Sequence, residues 1–179
     1  MDYIYLLPII IVLAYSLTKK KNNEPPPDIS PEQALKTSRI MWAALLMGCV
    51  MFTIVVIVLN LMAEKEGAPI EEDNFLFYIA LGLQIAFIPV AFITRSQVFK
   101  KGWVEDIVKP FAYLKGNIIA LALIEGPCIL GIVSMFISKK IMPNGIIPAI
   151  GLVVFIILFP NGKALQPTDN PYTRKPDFN

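Results

Sequence analysis

The chain has 179 residues, of which 55% are hydrophobic and 17% charged, with a mean hydropathy of +0.61, 16 basic against 14 acidic side chains and no histidine. Soluble domains carry about 25% charged residues, so this balance points to a chain surrounded by lipid. Without histidine there is no Ser-His-Asp or Cys-His pair, no imidazole metal ligand and no imidazole pH sensor, and a net charge of +2 gives no reason to expect a nucleic-acid partner. The two cysteines, Cys49 and Cys128, sit inside apolar blocks without C-x-x-C spacing, which suits small packing residues rather than a zinc knuckle or a disulfide framework. Phosphate-binding and dinucleotide-binding glycine motifs are absent, so the chain reads as non-enzymatic, with no cofactor or metal.

Five apolar blocks follow one another at residues 3–18, 40–62, 75–94, 117–138 and 146–160. They predict an all-α class, a polytopic transmembrane helix bundle of four or five spans. The three middle blocks each offer about 20 residues, enough at 1.5 Å per residue to cross a hydrocarbon core about 30 Å thick. The first and last are shorter, so each must thin the bilayer or borrow interfacial residues such as Tyr3 and Tyr5. Residues 1–18 read as an uncleaved anchor, because Asp2 replaces the basic n-region of a signal peptide and no A-x-A site precedes Lys19.

Residues 19–39 form a proline-rich linker, with Pro25, Pro26 and Pro27, that ends in a helix start. Ser30 fits the N-cap, Pro31 the first helical position and Gln33 the third position of a capping box, so the second helix should begin about two turns before its apolar span. The loop 64–74 is acidic. The connection 95–115 interleaves Phe99, Trp103, Phe111 and Tyr113 with lysines, a composition suited to lying along headgroups with rings inward. Residues 161–179 read as a disordered tail with Pro167, Pro171 and Pro176.

Counting Lys and Arg sets the orientation. With residues 19–39, 95–115 and the tail inside, 13 basic residues face the cytoplasm against 3 outside, which puts the N-terminus out and the C-terminus in. Lys139 and Lys140 are the exceptions, and the expected location is a bacterial inner membrane.

An offset of 78 positions lays residues 40–48 over residues 118–126, sharing Ala-Leu-x-x-Gly, and residues 80–83 similarly match 149–152. Two matches in the same order predict a duplicated pair of spans. Ala44 with Gly48, and Ala122 with Gly126, are small-xxx-small pairs expected to let a neighbouring helix approach closely. Where the first copy has Met47 the second has Glu125, the one acid or base inside the three middle spans. A carboxylate at that depth costs about 2.5 kcal/mol or more, and desolvation favours its protonated form. Two groups are candidates to receive its proton: the carbonyl of Leu123, left without its usual donor by Pro127, and the amide of Gln84. Thr53 and Asn60 are expected to bond to their own helix.

Residues 119–135, reading IALALIEGPCILGIVSM, resemble the carboxylate-bearing helix of the proteolipid ring subunits of rotary ATPases. The resemblance covers about 20 residues and implies that Glu125 carries a transported proton or sodium ion. Duplicated members of that family sometimes keep the carboxylate in one copy, as Met47 and Glu125 would imply. The chain departs from the family in three ways: it has no G-x-G-x-G inner helix, it has a long loop at 95–115, and it has an additional C-terminal span. The expectation is a proteolipid-like subunit of a larger membrane complex, with the bilayer and other membrane subunits or further copies as partners. A self-contained ion-coupled transporter or channel is the alternative.

Overall fold

The computed structural model describes residues 29–65, 75–104 and 107–166. The expected anchor at 3–18, most of the proline-rich linker, most of the acidic loop and the tail beyond residue 166 lie outside the described residues. Within them the chain forms helices α1 (Pro31–Lys65), α2 (Phe75–Lys101), α3 (Pro110–Ser138) and α4 (Ile146–Ile157). A two-stranded hairpin joins α2 to α3, with β1 (Trp103–Val104) pairing antiparallel to β2 (Ile107–Val108).

Helix α1 begins with a reciprocal cap. The Gln33 backbone N–H donates to Ser30 Oγ at 3.2 Å and the Ser30 N–H donates to Gln33 Oε1 at 3.3 Å, which occupies two of the otherwise orphaned amides of the first turn. The helix then runs 35 residues. Helices α1, α2 and α3 are each long and apolar enough to cross a membrane, so this is an integral membrane protein with an all-α transmembrane bundle. Helix α4 is as apolar but has only 12 residues, about 18 Å of rise, and it stops at Ile157, short of the Pro160 expected from its apolar block.

Helix α3 is the axle. About half of its apolar window is buried, against 11% for α1 and 17% for α2, and α1, α2 and α4 all pack on it. Contacts between Cys49 and Cys128 and between Asn60 and Met135 advance together along α1 and α3, so these helices run parallel. Phe99 meets Tyr113 while Gln84 lies beside Gly151 near Cys128, so α2 and α4 run the other way. The main core gathers Cys49, Val56, Ala91, Leu121, Ile124, Cys128, Met135 and Phe155. Among lipid tails such side chains gain little by leaving an apolar solvent, so close packing and hydrogen bonds between helices must hold this part together.

A second, smaller core lies at the basic end of the bundle: Ala34, Phe99, Val108, Tyr113 and Ala164. This corrects the expectation for residues 95–115. Rather than a separate ribbon they complete two helices and the hairpin between them: α2 continues to Lys101, the hairpin reverses the chain, and α3 starts at Pro110. Nothing in residues 95–101 breaks a helix, and Pro110 suits a first helical position, so both helices extend past their apolar blocks. Phe99 and Tyr113 turn inward and stack with centroids 5.4 Å apart. Gly102 makes the reversal possible, because a Cβ there would fall 2.1 Å from the Cβ of Ala112.

Candidate functional site

The seam between α1 and α3 holds the residues singled out by their chemistry. Glu125 lies at the edge of the buried face of α3, half-buried, within electrostatic reach of both Cys49 and Cys128. The periodicity of α3 explains this placement: Leu121, Ile124 and Cys128 point into the core, whereas Ala122, Gly126 and Ile129 point out, and Glu125 falls on the boundary. No hydrogen bond joins Glu125 to any described residue. The two cysteines, expected as packing residues, are both buried and neighbour each other across the seam, and the Cys128 thiol lies 4.0 Å from the Pro148 carbonyl of α4.

The receivers expected for the Glu125 proton are placed differently. Gln84 is buried in the bundle, 1% exposed, and neither its amide nitrogen nor its oxygen has a hydrogen-bond partner among the described residues. It lies beside Gly151, with its Nε2 at 3.8 Å from where a Cβ of that residue would stand, rather than on Glu125. Pro127 is buried and α3 stays helical through it, as α2 does through Pro89. Leu123 is half-buried, and among the described residues no side chain bonds to its carbonyl.

Among the described residues, the small pairs do not seat a neighbouring helix. Ala44, Ala122 and Gly126 are exposed, and a Cβ at either Gly48 or Gly126 would meet nothing within 4 Å. The close approaches between helices occur instead at Gly131, where a Cβ would come within 2.7 Å of Ile147, and at Gly116, where it would come within 2.6 Å of Phe99. From Glu125 toward the acidic end, the seam opens into a wholly apolar groove of about 290 Å³ lined by Phe52, Val56, Ile129, Ile132, Val133 and Phe136. The two segments matched in sequence therefore differ in position: α3 is central, α1 peripheral, and Met47 is exposed where Glu125 is half-buried.

Polar residues of the spans divide in a way their positions alone did not foretell. Thr53 Oγ1 donates to the Cys49 carbonyl of its own helix at 2.7 Å. Asn60 departs from the expectation: its amide donates to the Met135 carbonyl of α3 at 2.9 Å, because the packing of α1 on α3 buries Asn60 against that backbone. Residues missed by the sequence reading include Trp42, whose indole N–H donates to the Phe155 carbonyl at 2.7 Å, and the buried cluster of Ser134, Ser138 and Asn144. Spacing of Ser134 and Ser138 by four, followed by an Asn-Gly turn, was the available signal for that cluster.

Among the described residues no group of three Cys, Asp or Glu side chains could hold a metal ion. No protein-family model, characterised protein or solved structure matches this chain.

Proposed function

We propose that the protein is a small, non-enzymatic, proteolipid-like subunit of a larger membrane assembly, and that the α1–α3 seam is where another transmembrane helix docks. The observation that carries this reading is Glu125, an ionisable group midway along a spanning helix with no hydrogen-bond partner among the described residues. Such groups are costly in a bilayer and are normally satisfied inside a bundle or at a polar path. Ala122 and Gly126 flank it with open space, so a second helix can approach the backbone there and bring a partner to the carboxyl group. The apolar groove beyond Glu125 supplies the rest of such a seat. In this reading Glu125 is the protonatable site, in keeping with the resemblance to the rotary ATPase proteolipids. The chain would sit in a bacterial inner membrane, N-terminus out and C-terminus in, with the outward-facing small residues of α1 and α3 as traces of a duplicated helix.

The experiment uses cells lacking the native copy, with tagged variants extracted in mild detergent and measured for particle mass and co-purifying chains. Gly126→Leu should shed the partner chains, and Glu125→Gln should abolish ion-linked activity. Unchanged assembly and activity in both variants would reject the proposal. One observation favours a second reading, a self-contained transporter: the buried amide of Gln84 inside the bundle is a polar group with no hydrogen-bond partner among the described residues. Proton flux into liposomes containing this chain alone, lost in Glu125→Gln, would select that reading.

A further inference from the structure

We propose that Cys49 of α1 and Cys128 of α3 are a modification site, a thiol pair that apolar peroxides in the bilayer oxidise to a disulfide tying the two parallel helices together. Spacing in the sequence gives no hint of the pairing; the packing of α1 on α3 creates it. Both thiols are free and buried, at 3% and 0% exposure, and the side chains lie within hydrogen-bonding reach of each other. The register continues past the pair: Phe52 and Val56, on the same face of α1 as Cys49, line one groove with Ile132, a turn beyond Cys128 on α3. Helix α4 backs Cys128 from another side, since a Cβ at Gly151 would stand 3.1 Å from its sulfur and the Pro148 carbonyl lies 4.0 Å from it. A disulfide needs Cα atoms within about 7 Å, an approach that packed helices make where small side chains such as two cysteines meet.

The groove beside the pair gives an apolar oxidant a way in. It measures about 290 Å³, its lining side chains are apolar, and Phe52, Ile129, Val133 and Phe136 along it are exposed on the surface of the bundle. A hydroperoxide carried on a lipid tail partitions into such a place, whereas a charged oxidant such as glutathione disulfide stays in water.

The oxidation balances in two steps. One sulfur attacks the terminal peroxide oxygen: an S–O bond forms, the O–O bond breaks, and the lipid leaves as an alcohol that takes up the thiol proton. The other sulfur then attacks the first: an S–S bond forms, the S–O bond breaks, and water leaves with the second thiol proton. The two thiols are oxidised by two electrons and the hydroperoxide is reduced to alcohol and water. Because the thiolate is the attacking form, Glu125, within electrostatic reach of both sulfurs, is placed to relay the proton. A crosslink here fixes the spacing of α1 and α3 beside Glu125, and does so whether or not another helix docks on the seam.

The test treats the full chain, in phosphatidylcholine nanodiscs, with cumene hydroperoxide or with glutathione disulfide, followed by alkylation, intact mass and peptide mapping. Cumene hydroperoxide should give monomers that have lost two hydrogens, with a link between the peptides carrying Cys49 and Cys128 that dithiothreitol reverses; glutathione disulfide should give about tenfold less. Moving one thiol by a helical turn, in the double variant Leu45→Cys with Cys49→Ala, displaces it by about 5.4 Å and should cut the link about tenfold. Equal yields from the two oxidants would keep the crosslink but overturn its assignment to apolar peroxides. In the native chain, sulfinic or sulfonic acids without the link, disulfides only between separate chains, or unreacted thiols would overturn the proposal entirely.

Discussion

The two cores of this molecule are built by different physics. Along the spans, apolar side chains exchange one apolar neighbour for another, so what joins α1 to α3 is close fit plus a few hydrogen bonds aimed at backbone carbonyls, such as that from Asn60. At the basic end, Phe99, Val108, Tyr113 and Ala164 form a core in a region whose sequence also carries the exposed Lys100, Lys101 and Lys115, and next to water apolar burial is favourable in its own right. The small core therefore fastens both ends of the described chain, the start of α1 and the segment after α4, while in the larger core Gln84 and Glu125 have no hydrogen-bond partner among the described residues.

The largest test of this contrast is Tyr113→Ala, which removes a fully buried ring stacked on Phe99 together with the acceptor of the Gly162 amide. It should cost about 3–5 kcal/mol and lower the thermal midpoint in detergent by many degrees, whereas Tyr113→Phe should cost about 1 kcal/mol. Glycines supply the next comparison. Gly116→Ala drives a methyl into Phe99 and should cost about 1–3 kcal/mol, while Gly126→Ala and Gly48→Ala meet open space and should leave the unfolding midpoint of the isolated chain unmoved. Asn60→Leu should lose about 0.6 kcal/mol by denaturant titration, the mean for a hydrogen bond between membrane helices, and Thr53→Val less. The smallest effect has the opposite sign: Gln84→Met removes a buried amide that bonds to nothing described, so it should leave stability unchanged or raise it by up to about 1 kcal/mol. A clear loss of stability there would show that Gln84 is satisfied within the fold.

Much of the spanning architecture was legible in the residues, because length and apolarity are all that a bilayer demands of a helix. The blocks at 40–62, 75–94 and 117–138 each lie inside a long helix, and the Ser30 and Gln33 spacing is met by the two hydrogen bonds that a capping box requires. The basic end was misread because alternating aromatic and basic residues are common to an interfacial ribbon and to a packed extramembrane turn. The difference lies in Gly102 meeting Ala112, a contact ten residues apart that composition does not encode. The same holds for Asn60, whose partner is a carbonyl 75 residues away, and for the small pairs, whose outward direction depends on which face α3 gives to α2 and α4. Glu125 was found from its type and depth, but that Gln84 is not its partner was visible only once Gln84 had been placed beside Gly151.

The claim that the α1–α3 seam is completed by another chain is tested most directly by photocrosslinking in the native membrane. A benzophenone amino acid at position 129, in the groove one turn from Glu125, is compared with the same probe at position 85, on the outer face of α2, where the native isoleucine is 64% exposed. The account predicts a discrete protein adduct from position 129 and only lipid adducts from position 85. Lipid adducts alone from both positions would contradict it.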